Sequence, residues 1–253
     1  GGTASLVSGQ DTTLRGAVVS GKQVVADVGG NLKIESVQDS STYRRRSDSA
    51  SLNMSVGANF GIGGSVGQGK ADSSYQSANT QSGIQAGDGG FQVNVGSNTD
   101  LKGAVIASTD KAITDNKNRL TTGTLTTHDV QNSANYQVDS FTISGNIGDK
   151  PSAAAGSFGT EGSASGTTRS AVSGGAITIT DEAGQQAATG KTGTATVASL
   201  NRDTKNANGA IGPIFDKNLV RETEANAKIV AAFGRETATA WGNYANMKFS
   251  DAV

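Results

Sequence analysis

The sequence predicts a mainly β fold: a solenoid of short stacked strands, with two amphipathic β-hairpin insertions and a C-terminal α-helix. Three observations predict it. Segments recur roughly ninety residues apart, apolar residues keep a period of two inside each copy, and the C-terminal stretch changes to a period near 3.6.

Composition sets the terms. Leu, Ile, Val and Phe number only 47 of 253 residues, about 19%, while glycines number 35. With a net charge of −1 and only 2 prolines, the chain does not fit a disordered linker. Repetition is the other way to be stable with so little apolar mass, each thin layer burying a few residues against its neighbour. The near-zero charge argues against broad nucleic-acid binding. The lack of cysteine excludes disulfides, Cys-based metal sites and a thiol nucleophile. No run approaches the ~20 apolar residues of a membrane helix. The chain begins Gly1-Gly2 without an initiator Met and reads as an excised fragment, any targeting segment lying upstream.

Residues 1–43 are read as solenoid coils. Val24, Ala26, Val28, Leu32 and Ile34 share one parity, and Asp27, Asn31, Lys33 and Glu35 take the other. Asp11-Thr-Thr-Leu14-Arg-Gly16-Ala-Val18 returns as Asn98-Thr-Asp-Leu101-Lys-Gly103-Ala-Val105, and Val37-Gln-Asp-Ser40-Ser-Thr-Tyr43 as Val130-Gln-Asn-Ser133-Ala-Asn-Tyr136. Residues 84–136, with Phe91, Val93 and Val95 alternating, are therefore coils as well. A weaker third copy, Gly174 to Ile179 echoing Gly29 to Ile34, extends the coils over 172–212. A β-sandwich has similar strand spacing. The recurring N/G-x-L and G-A-V units favour the solenoid, in which equivalent positions stack.

Each V-Q-[DN]-S-x-x-Y element is followed by a Gly/Ser-rich insertion, over 44–83 and 137–171. In the first, Leu52, Met54, Val56, Ala58, Phe60, Ile62, Gly64 and Val66 hold every even position and small polar residues every odd one. That predicts one amphipathic strand reaching roughly 50 Å if fully extended. It is either a long hairpin laid apolar face down on the solenoid, or a strand able to join a membrane-spanning barrel after rearrangement. Phe141, Ile143 and Ile147 repeat the alternation over a shorter length. Residues 213–253 are a helical cap: Asp216 is a plausible N-cap. Leu219, Val220, Ile229, Val230, Phe233, Trp241, Tyr244 and Met247 then mark a helix over about 217–247 that could cover the solenoid's open edge.

Four features invite chemistry. Gly64 to Ala71 reads G-x-x-x-x-G-K-A, one residue short of a P-loop. Ala71 offers magnesium no oxygen, and the residues after it have no apolar helical face. His128, the single histidine, precedes Asp129, but no nucleophile elbow and no second metal-ligating His accompany it. Arg44-Arg45-Arg46 is read as a solvated turn or as a contact for an anionic surface such as lipid headgroups. The C-terminal carboxylates favour the helix dipole and form no paired catalytic arrangement. No catalytic residue, cofactor or metal site is predicted.

Ser8 to Gly21, Ala26 to Ile34 and Asn118 to Thr126 resemble the haemagglutinin repeats of large two-partner-secreted exoproteins. That family includes filamentous haemagglutinin-like adhesins and contact-dependent growth inhibition (CdiA-type) effectors. Leu200 to Lys217 looks like the stretch leading into the pretoxin region of the latter. The resemblance implies a right-handed parallel β-helix from a secreted bacterial surface filament. Its implied partners are the outer membrane of a target bacterium (lipid or outer-membrane protein), a C-terminal toxin domain in the full chain, and the outer-membrane two-partner secretion transporter during export. The implied role is non-enzymatic: toxin delivery, or passive service as a stalk or adhesin module.

Overall fold

The fold is described from a computed structural model, in which residues 2–55, 61–148 and 151–250 are placed. Among the described residues the chain is mainly β with four helices, and it divides into two compact units. The first unit holds residues 1–40, 76–133 and 165–212; the second holds 41–75, 134–164 and 213–253.

The first unit is built from parallel strands: β1 (Thr3–Ser8), β2 (Thr12–Arg15), β3 (Val18–Val28), β4 (Leu32–Glu35), β7 (Gly83–Lys102), β8 (Val105–Ala107), β9 (Arg119–His128), β12 (Ala171–Val172) and β13 (Ala176–Ile179). They stack in three columns. One runs through Leu6, Ala26, Val93, Leu120 and Ile177, each paired with the next. A second carries Leu14, Ile34 and Leu101. A third carries Val19, Ile84, Ile106 and Val172. Alternation explains the core: Val24, Ala26, Val28, Leu32, Ile34 and Phe91 are buried, and the residues between them face water. Thr99 and Thr122 also point inward; Thr99 Oγ1 donates to Thr122 Oγ1 (2.9 Å), whose own proton reaches carbonyl oxygens.

The recurring Asp/Asn forms a ladder at the turns between columns. Asp11 Oδ1 accepts from the backbone and side-chain amides of Asn31 (2.7 and 3.0 Å), Asn31 Oδ1 from the backbone N–H of Asn98 (3.2 Å), and Asn98 Oδ1 from Thr124 (2.8 Å). The backbone N–H of Asn31, then its side-chain amide, holds the Asp11 carboxyl below its usual value. A depressed carboxylate contributes stability above its unfolded pKa, and that contribution disappears as pH falls through the folded one. Asp11→Ala is therefore expected to unfold more easily than wild type at pH 7. The gap should close as pH drops below about 4 in paired denaturant titrations; a gap independent of pH would contradict it.

Short helices complete this unit: α1 (Asp110–Thr114), α2 (Glu182–Thr189) and α3 (Gly193–Ser199). Over 172–212, where solenoid coils are expected, the last parallel strand ends at Ile179 and helices follow. Asp181 caps α2 by accepting from Gly184 N (2.8 Å), and Gly190 ends it in the left-handed conformation at φ 70°. The third repeat copy also sits differently from its echo: Ile177 stacks in the column of Ala26, not in that of Leu32.

The second unit holds most of a four-stranded sheet in the order β11-β10-β6-β5, from β5 (Asp39–Ser55), β6 (Gly61–Ser77), β10 (Val130–Gly148) and β11 (Ser152–Thr168). Helix α4 (Asn218–Ser250) lies on one face of it. The helix begins where Asp216 Oδ1 accepts from Asn218 N (2.9 Å), as the N-cap expectation required. The side chains of Trp241, Tyr244 and Met247 lie outside those described.

Candidate functional site

The strongest candidate is the face of this sheet that α4 leaves open. Its register follows from contacts between neighbouring strands. Ser51 and Ser65 share a hydroxyl bond (2.8 Å) and Ser55 reaches Gly61 O (3.3 Å), so β5 and β6 run antiparallel. Ser74 donates to Asn135 (3.0 Å), while Gly67 adjoins Thr142 and Gly63 adjoins Asn146, which makes β6 and β10 antiparallel too. Ser152 donates to Asn146 and Gly162 meets Tyr136, closing the β10–β11 hairpin. The single extended strand predicted over 52–66 is therefore two antiparallel strands, one ending at Ser55 and the other beginning at Gly61. Val56, Ala58 and Phe60 lie outside the described residues.

These registers sort the sheet into rows, because side chains alternate between faces. On the open face, at the end away from the hairpin turns, two rows read Arg44, Asp72, Gln137, Glu161 and Arg46, Lys70, Asp139, Gly159. A mixed row follows: Asp48, Gln68, Phe141, Ser157. The three rows nearest the turns read Ala50, Val66, Ile143, Ala155; then Leu52, Gly64, Gly145, Ala153; then Met54, Ile62, Ile147, Pro151. The apolar rows are uncovered: Leu52 and Ile147 are each 75% exposed, Met54 64% and Val66 59%. Phe141 and Ile143 are exposed as well, and Ile62 is half-buried.

The reverse face has the opposite order. Near the turns it carries Ser51, Ser65, Ser144, Asn53, Asn146 and Ser152. At the other end Tyr43, Ala71, Tyr136 and Val138 pack with Phe215, Leu219 and Val220. Tyr43 and Tyr136 hold the Phe215 ring at centroid distances of 5.0 and 6.0 Å. Farther along, the helix backbone at Ala227 and Ala231 rests on Gly156. The apolar side of the sheet thus changes face along its length, buried under α4 at one end and bare near the turns.

The arginine run is a strand, not a turn, and strand alternation divides it. Arg45 points to the reverse face and pairs with Glu224 (3.4 Å). Arg44 and Arg46 stay on the open face with Lys70, which binds Asp72 at 3.0 Å. That hydrogen bond from Lys70, joined by the charges of Arg46 and Arg44, holds the Asp72 carboxyl below its usual value. Asp48, Asp72, Asp139 and Glu161 outnumber the three cations on this face. The near-P-loop, for its part, lies within β6. His128 Nε2 lies 3.6 Å from Asp100 on an exposed strand end of the first unit. No group of His, Cys, Asp or Glu suited to a metal occurs among the described residues.

Within the first unit, the edge of the stacked strands is covered by α2, a helix the sequence reading did not single out. Gln185 of α2 is fully buried, and its amide receives the Leu125 N–H (2.7 Å) and donates to the Leu125 carbonyl (3.1 Å). It satisfies the edge of β9 just where β13 stops pairing. The signal was present in the sequence as Asp181 before, and Gly190 after, a short helix-compatible run.

Parallel columns of short strands carrying paired Gly/Ser-rich hairpins define a repeat-built, mainly β segment. Residues 1–50 match the hemagglutinin repeat family model. Over 91% of its length the chain is 41% identical to a toxin CdiA of Escherichia coli, of which it spans 8%. It is 39% identical over 94% of its length to a tRNA nuclease CdiA of E. coli strain NC101, spanning 7% of that protein. It is also 41% identical over 92% of its length to a deoxyribonuclease CdiA of Yersinia pseudotuberculosis, spanning 22% of it. The chain therefore carries a haemagglutinin-repeat region of the CdiA type and corresponds to a small part of these relatives. No solved structure matches it.

Proposed function

We propose that this chain is a non-enzymatic segment of a secreted, cell-surface CdiA-like effector, built on a right-handed parallel β-helix with two hairpin insertions. Its role is to help deliver a C-terminal toxin across the outer membrane of a neighbouring bacterium, after export by an outer-membrane transporter. The observation that carries this reading is the bare apolar end of the hairpin sheet, since single exposed apolar residues are ordinary but a contiguous patch marks an interaction surface. Stacked parallel columns alone would suit a passive stalk equally well; a stalk has no need of Leu52, Met54, Val66 and Ile147 in water.

The purified chain is expected to bind outer-membrane vesicles. Leu52→Asp with Ile147→Asp should weaken that binding at least about tenfold, since each buried aliphatic side chain is worth roughly 1.5–3 kcal/mol. The same pair in the full-length effector should reduce toxin entry. Unchanged binding and unchanged entry would leave the stalk reading standing.

A further inference from the structure

Resting on that membrane reading, we infer that the hairpin sheet lies flat on one leaflet with its open face down, and does not cross the bilayer. Three features of the sheet limit it to the surface. Length is the first: over the described apolar stretch, from Ala50 to Ser55, a strand advances about 17 Å, against a hydrocarbon core of roughly 30 Å. The reverse face is the second. Ser51, Ser65, Asn53 and Asn146 stand directly behind the apolar rows, so an upright sheet would carry them into hydrocarbon. The edges are the third: among the described residues β5 and β11 flank the sheet without pairing to each other, and strands span the bilayer interior only as closed barrels.

Lying flat satisfies all three. Leu52, Val66, Ile143 and Ile147 enter the acyl boundary, while the polar reverse face and α4 stay in water. The rows of Arg44, Arg46, Lys70 and their carboxylates then meet the headgroups on the same face. Because Asp48, Asp72, Asp139 and Glu161 balance those cations, the surface recognises the apolar boundary of a lipid layer and not its charge. Three unopposed cations would raise affinity for an anionic layer roughly a hundredfold.

The chain has no cysteine, so single cysteines report one position each. Leu52→Cys, Ile143→Cys and Ser65→Cys, each carrying an environment-sensitive dye, would be mixed with phosphatidylcholine vesicles containing spin labels at shallow or deep acyl positions. The dyes at 52 and 143 should be quenched by shallow labels only, and the dye at 65 by neither. Adding phosphatidylglycerol should change affinity by less than about threefold, and entrapped solute should stay inside. Deep quenching, quenching at 65, or solute release would overturn the flat arrangement while leaving membrane association intact. Absence of binding to any vesicle, with the fold retained by circular dichroism, would remove the membrane reading and this inference with it.

Discussion

Gln185→Met is expected to lower stability by about 2–4 kcal/mol, although methionine has the length to fill the same space. Each buried backbone group that loses its partner costs roughly 1–3 kcal/mol, and this side chain serves two of them on Leu125. It also donates to Thr196 (3.0 Å), tying α3 to α2. A stack of parallel strands always ends on a strand with nothing beyond it. Here β13 covers Arg119 to Thr122 of β9, the chain leaves the sheet at Asp181, and one glutamine amide replaces the next strand at Leu125. Chemical denaturation would give the loss directly, and hydrogen exchange should show the Leu125 amide losing protection first. A midpoint within about 0.5 kcal/mol of wild type would mean that water satisfies the edge without Gln185. Gln185→Ala adds a cavity to the same loss and should be worse than Met.

The stacked columns were legible because parallel strands stacked in register write their geometry into residue spacing. Leu14 and Leu101 occupy equivalent repeat positions and fall in one column with Ile34 between them. The second repeat spacing carries more information than a repeat alone would suggest. Gln38 and Gln131, 93 residues apart, touch through the Gln38 side chain, and the same offset relates Tyr43 to Tyr136 and Ala50 to Ile143 across the hairpin sheet. The sheet is two equivalent hairpins side by side, which is why both insertions follow the same V-Q-x-S motif.

What spacing could not supply was direction. Alternation of apolar and polar residues runs unbroken from Leu52 to Val66, because a hairpin that keeps its register preserves parity through its turn. Period two therefore reads identically for one long strand and for two antiparallel ones. The arginine run misled for a related reason: three adjacent charges look like one cluster in sequence, but a strand sends the middle one to the other side. The helix that covers the stacked strands was missed because α2 is short and weakly apolar, its essential residue being a polar glutamine. Helix α4 was visible from its period and from Asp216, yet its period says nothing of which sheet receives it. Small residues set that partner.

Gly156→Ala is expected to displace α4 from the hairpin sheet. A methyl group at that position would stand 2.2 Å from the carbonyl oxygen of Ala227 and 2.5 Å from the Ala231 nitrogen. These are helix backbone atoms, which cannot rotate aside as a side chain would, so the whole helix must lift. Overpacking of this kind costs typically 1–3 kcal/mol and here belongs at the upper end. Ala227 and Ala231 are buried with Val220 and Thr223 along the same stripe, so lifting the helix at Gly156 loosens the contact throughout. Hydrogen exchange over 220–231 should accelerate while β3, β7 and β9 keep their protection, because α2 covers the edge of that stack at Leu125. The variant also tests how the sheet meets lipid. The open face lies on the other side from the helix, so losing α4 should leave the contribution of Leu52 and Ile147 to vesicle binding unchanged. Loss of protection in the parallel strands as well would show that the variant disturbs more than the helix contact, and unchanged exchange in α4 would show that the helix does not rest on Gly156.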